Sequence, residues 1–160
     1  MRRPEDTPIR ASLLDRLRDQ SPDRHQRSGR QQLRELVASV QTQLESLLNT
    51  RWCCRVIDEN YDELGRSLLN YGIPDFANLT VATPEGQQVF REALVEAIRA
   101  HEPRFINVAV EIVEVEEATR RLHFRIQGDL HAHPEPAHVA FDSLLDTTEQ
   151  SVQVRTSEYV

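Results

Sequence analysis

The chain has 160 residues, of which 39% are hydrophobic and 28% charged, with a formal net charge of -7. That length holds one domain with a core of its own and no need of disulfides. Mean hydropathy is -0.55, no apolar run approaches the roughly 18–20 residues that cross a membrane, and Met1-Arg2-Arg3-Pro4-Glu5-Asp6 leads into no apolar signal core. The expectation is a cytoplasmic protein without direct membrane insertion.

The charge is unevenly spread. Residues 1–34 carry nine arginines against five acids, a net of +4, which leaves -11 for the remainder. A basic arm on an acidic body suits an acidic partner or a nucleic acid. The interleaved acids and the lack of any aromatic residue in the arm argue against nucleic acid. The only cysteines, Cys53 and Cys54, are adjacent. Neighbours rarely form a disulfide and two thiols alone make no metal site, so they read as reduced structural residues.

Residues 9–19 have the pattern of a short amphipathic helix, with Ser12 as cap and Leu13, Leu14 and Leu17 on one edge. Residues 20–30 lack apolar side chains and contain Pro22 and Gly29, the composition of a linker. From Gln31 to Asn49, Leu33, Leu36, Val37, Val40, Leu44, Leu47 and Leu48 recur at helical spacing and leave Gln, Glu and Arg outside. That helix is roughly 28 Å long. No periodicity decides residues 52–58. A second short helix is expected over Tyr61–Asn70, with Leu64, Leu68 and Leu69 inward. Gly72 and Pro74 then break the chain, and Tyr71, Ile73 and Phe76 fold the turn back on the core.

The next helix is well punctuated: Thr83 as N-cap, Pro84 at the first helical position and Glu85 at the positive end of the dipole. Its expected buried stripe is Val89, Phe90, Ala93, Leu94, Ala97 and Ile98. It stops at His101-Glu102-Pro103-Arg104, because Pro103 lacks an N–H and disfavours helical geometry at Glu102. Four strands follow: Phe105–Val115; Arg121–Ala132, with strict alternation of Leu122, Phe124, Ile126, Gly128 and Leu130 against polar neighbours; Ala137–Leu145; and a short Ser151–Arg155. Hairpins join the first pair through 116–120 and the last through 146–150. The fold class is therefore α+β, N-terminal helices followed by an antiparallel three- to four-stranded sheet. Residues 1–30 form an N-terminal helix and mobile arm, and 31–160 a single domain. The outer strands leave edges open to another chain.

Two chemistries have candidate residues in the chain. Glycoside hydrolysis needs two carboxylates about 5–10 Å apart. Glu102 is the acid candidate, but the sequence places no second carboxylate in an apolar setting near it: Glu111 and Glu114 lie on the next strand and Asp75 in the turn. However, Arg104 favours the anion of Glu102, the wrong state for a general acid at neutral pH. His131, His133, His138 and His123 have the residue types of a metal site, yet His123 and His131 lie roughly 27 Å apart on a strand. The five glycines form neither a phosphate-cradling loop nor a nucleophile elbow. No cofactor and no metal are expected.

Several blocks, in this order, resemble the TssE family of type VI secretion baseplate subunits, itself part of a phage-tail baseplate wedge family once labelled lysozyme-like. They are Ser12-Leu-Leu-Asp-Arg-Leu17, Leu47-Leu-Asn-Thr-Arg51, Ser67-Leu-Leu-Asn-Tyr-Gly-Ile-Pro-Asp-Phe76, Glu102-Pro-Arg104 and the strand Leu122–Leu130. The resemblance implies a non-enzymatic subunit on the cytoplasmic face of the inner membrane, on which contractile sheath polymerisation begins by strand addition. It implies TssF-, TssG- and TssK-like wedge proteins and TssB- and TssC-like sheath subunits as partners. Glu102, Pro103 and Arg104 would dock on the wedge's helical core, and substituting Glu102 or Arg104 would detach the subunit with its folding intact. Asn70, Tyr71, Gly72, Pro74 and Asp75 form a possible structural contact turn. The alternative reading is a peptidoglycan hydrolase.

Overall fold

The computed structural model describes residues 17, 28–52, 67–74, 83–116, 118–132 and 135–159. Expectations for the helix at 9–19 (apart from Leu17), most of the arm, Cys53, Cys54, residues 61–66, Asp75, Phe76 and His133 lie outside them. Helix α1 spans Gly29–Leu48 and helix α2 spans Pro84–His101. Strands β1 (Phe105–Glu116), β2 (Arg121–Leu130), β3 (Ala137–Asp146) and β4 (Ser151–Tyr159) form one antiparallel sheet in the order β1-β2-β3-β4. This is an α+β arrangement, two helices followed by a four-stranded meander.

Both helices begin as their capping residues dictate. Ser28 Oγ accepts from Gln31 N at 3.4 Å, and Thr83 Oγ1 accepts from Gly86 N at 3.2 Å. Each helix buries one stripe: Leu36, Val37, Val40, Leu44, Leu47 and Leu48 from α1, and Phe90, Leu94, Ala97 and Ile98 from α2. These stripes meet the inward residues of the sheet in one cluster, α1 chiefly over β4 and α2 over β1. Phe90 stands edge-on to Phe124 with ring centroids 5.5 Å apart. The opposite face of the sheet is polar.

Four expectations change. Leu68 and Leu69 do not point inward: they are 87% and 60% exposed. They lie in a short 3-10 turn, Leu68–Asn70, capped by Ser67, and the apolar residue that this segment buries is Ile73. Val89 is 51% exposed, because the stripe of α2 runs through Phe90 and its i+4, i+7 and i+8 positions, about a quarter turn away. The last strand reaches Tyr159. Its polar residues Thr156 and Glu158 pair through the backbone with Phe141 and Ala140 across a register shift, which side-chain alternation does not reveal. Finally, β1 contains two register shifts, between Phe105 and Asn107 and between Ile112 and Glu114, with Ile106 and Val113 as the extra, exposed residues. Gly128 lies beside the first: a Cβ there would come within 2.0 Å of Asn107 O.

The turn at 70–74 is stapled to the end of α1. Ile73 N donates to Thr50 O at 2.9 Å and Trp52 N donates to Ile73 O at 3.2 Å, a parallel bridge between Arg51 and Ile73. Gly72 holds the approach at φ 114°, where a Cβ would stand 2.5 Å from Thr50 O and 2.9 Å from its carbonyl carbon. Gly72→Ala should therefore destabilise the protein by about 1–3 kcal/mol, from left-handed strain and the displaced bridge. The shift of the urea midpoint measures it, with Gly29→Ala as the neutral control, since a Cβ at Gly29 meets nothing within 4 Å.

Candidate functional site

The end of α2 is set by Pro103, and Glu102 adopts φ -123° and ψ 79°, outside the helical region as a residue before proline prefers. Glu102 N still donates to Ile98 O at 2.8 Å, so the carboxylate leaves from the last turn, at the negative end of the helix dipole. Its compensating cation is Arg104. Arg104 Nε donates to Glu102 Oε1 at 2.7 Å and Nη2 to Oε2 at 2.5 Å, while the Arg104 backbone N–H reaches Oε1 at 3.3 Å. Such a two-point contact is the strong form of the pair.

The guanidinium does not stop there. Nη1 donates to Ser39 Oγ at 3.0 Å and Nη2 to Gln43 Oε1 at 2.8 Å. Ser39 and Gln43 stand one turn apart on α1, so the motif ties the end of α2 to the middle of α1. Glu102 is only 3% exposed. Pro103 is exposed at the apex of the turn. Thus, of the three residues expected to dock on a partner, Glu102 faces inward, Arg104 bridges two helices at the rim, and Pro103 faces out.

The contact turn lies next to this motif. His101 Nε2 is 3.0 Å from Asn70 O, and its ring meets Tyr71 edge-on at 5.1 Å. Asn70, Tyr71, Gly72 and Pro74 therefore lie at the same end of α2 as Glu102–Arg104, although about 30 residues separate them in the chain. His101 is the hinge between the two blocks.

The two sheet edges differ. The outward backbone of β4 is held by α1: Asn49 Oδ1 accepts from Val152 N at 2.9 Å and Asn49 Nδ2 donates to Val152 O at 2.8 Å. Gln41 Nε2 donates to Val154 O at 2.9 Å, and Thr156 Oγ1 donates to Gln41 Oε1 at 2.8 Å. Arg51 Nη2 adds a bond to Gln150 O at 3.0 Å. Among the described residues, no strand pairs with the outer edge of β1. Sequence reasoning missed Ser39, Gln41, Gln43 and Asn49, since helical periodicity assigns polar residues to the solvent side. A hint was available only at Asn49, whose type suits the end of a helix.

Of the carboxylates considered for hydrolysis, Asp75 lies outside the described residues. Glu111 and Glu114 are exposed on β1, whereas both oxygens of Glu102 are engaged by Arg104. Of the histidines, His138 Nδ1 sits 3.1 Å from Asp129 Oδ1, and Asn107 Nδ2 donates to Asp129 Oδ2 at 3.0 Å. The Asn107 hydrogen bond, and then that of His138, hold the Asp129 carboxyl below its usual range. Among the described residues no three His, Cys, Asp or Glu side chains converge on a metal position.

Because Glu102 is buried, its substitution should cost stability, which differs from the expectation of an intact fold. Arg104→Ala should lose about 3–5 kcal/mol by leaving a buried anion unpaired, and the double variant Glu102→Gln, Arg104→Met should recover part of it. Chemical denaturation of the three proteins measures this, and equal losses in single and double variants would contradict it.

Among curated proteins, none significantly matches the chain. The family described as baseplate wedge protein gp25 matches residues 34–135, from the first turns of α1 to the approach of β3 and so including both the 70–74 turn and Glu102–Arg104. With more than half of its length matched, the chain belongs to the baseplate wedge protein gp25 family, whose role is a structural one in the baseplate.

Proposed function

We propose that this chain is a TssE-type subunit of a type VI secretion baseplate, without enzymatic activity, which docks on the wedge core and starts contractile sheath polymerisation by strand addition. The wedge partners are TssF-, TssG- and TssK-like proteins, the sheath partners are TssB- and TssC-like, and the site of action is the cytoplasmic face of the inner membrane. The observation that carries this reading is the meander itself: four strands with the outer edge of β1 carrying no further strand among the described residues. An unpaired edge supplies backbone donors and acceptors to an extended segment and asks little of its side chains.

The wedge contact uses the turn that leads into β1. Pro103 presents an exposed ring at the apex of a turn whose two neighbours are locked by the Glu102–Arg104 pair and by α1. A turn held this way meets a partner without ordering on contact, which saves the entropy that a mobile loop loses. The engagement of both Glu102 oxygens by Arg104 also supports a non-catalytic role for the carboxylate.

Purified chain added to sheath subunits should shorten the lag of sheath assembly seen by light scattering, and an unchanged lag would overturn sheath initiation. Pro103→Glu should abolish co-purification with the wedge proteins while lowering the melting temperature only slightly, by the loss of the proline's fixed backbone angle. Retention at the level of the unmodified protein would overturn docking through this turn.

A further inference from the structure

The strands align one residue each into a row across the polar face of the sheet: Glu111 on β1, Arg125 on β2, Asp142 on β3 and Arg155 on β4. The charges alternate in sign from edge to edge. The central pair is made, with Arg125 Nε donating to Asp142 Oδ1 at 2.7 Å. The Asp142 hydrogen bond and charge, with a smaller contribution from Glu111, hold the Arg125 guanidinium above its ordinary value. Opposite charges directly across neighbouring strands stabilise a sheet, and like charges there destabilise it. Every member of the row has an opposite charge on each side except the two at its ends, Glu111 and Arg155.

Those ends lie on unlike edges. At β4, Asn49 and Gln41 already occupy the outward backbone groups of Val152 and the carbonyl of Val154. At β1, the segment between the two register shifts, 107–112, is a regular run with Asn107, Ala109 and Glu111 on the polar face and Val108, Val110 and Ile112 on the helix side. The shifts at either end interrupt the repeat, so the usable stretch is about 20 Å long. The strand Phe105–Glu116 carries three carboxylates, Glu111, Glu114 and Glu116, and no Arg, Lys or His. Two copies pairing through β1 would gather their carboxylates along one seam with no cation from either strand, which disfavours self-association.

We propose that β1, along residues 107–112, is the edge that receives the sheath strand, and that the strand is a basic extended segment with Arg or Lys opposite Glu111 and apolar residues at alternate positions. This rests on the strand-addition reading above. The incoming cation extends the row of alternating charge by one member. Because a slip of one residue would turn the cation to the helix side, Glu111 also fixes the register of the added strand.

Backbone hydrogen exchange of the full chain, alone and with purified TssB- and TssC-like sheath subunits, tests this. Slowed exchange is expected at 107–112. Glu111→Gln should weaken sheath binding about threefold and Glu111→Arg about tenfold or more, while Arg155→Glu leaves it unchanged. Melting temperatures of the variants report any loss of folding, and Glu111→Gln keeps the question open to measurement should Glu111→Arg fail to fold. Slowed exchange at β4 with both Glu111 variants binding normally would overturn the edge assignment and leave strand addition standing. Slowed exchange at 107–112 with normal binding by Glu111→Arg would overturn the charge pairing. No slowing at either edge would overturn strand addition itself.

Discussion

Arg104 reaches back across Pro103 to the carboxylate two residues before it and donates two further N–H groups to Ser39 and Gln43 of α1. This contact fixes where α2 ends relative to α1, and β1 starts immediately after it. The direction of β1 therefore follows from a polar contact between helices, and the other strands are built on β1 in sequence order. The apolar stripe of Phe90, Leu94 and Ile98 sets which face of α2 meets the sheet, and the polar contact adds a tie between the end of α2 and α1. The bidentate pair with Glu102 orients the guanidinium, and its hydrogen bonds to Ser39 and Gln43 then tie the end of α2 to one place on α1.

A second polar device closes the far side. The Asn49 side chain offers Val152 the donor and acceptor that a neighbouring strand would otherwise offer, and Gln41 does half of the same for Val154. The end of α1 thus stands in for a fifth strand beside the first half of β4. With Arg51 on the Gln150 carbonyl and the 70–74 turn bridged to Thr50, Asn49-Thr50-Arg51 connects three parts of the molecule. This gives a physical reason for the Leu-Leu-Asn-Thr-Arg block that figured in the family resemblance.

Much of the fold was legible in the sequence wherever a side-chain period or a capping residue carries the information. The stripe from Leu36 to Leu48, the Thr83-Pro84 start and the alternation of β2 are of that kind. What was not legible depends on backbone pairing or on partners distant in sequence. Ile106 and Val113 read as ordinary members of an apolar strand, and only the register against β2 shows them as extra residues. The far half of β4 is polar and is held by backbone bonds to β3. Glu102 and Arg104 were legible as a pair, but their burial was not, because Ser39 and Gln43 lie more than 60 residues earlier. The apolar residues of the 70–74 turn signal that it folds inward, whereas the contact of His101 with that turn has no local signal, because Asn70 lies 31 residues earlier.

Asn49 also has a consequence for valence. A sheet open on both sides can add strands in two directions, and copies of it can chain into a fibre through their edges. Occupying the outward groups of Val152 with a side chain of the same molecule removes much of one of those directions. Among the described residues the outer edge of β1 has no such cover, so the two edges of the sheet differ in how many further strands each leaves room for.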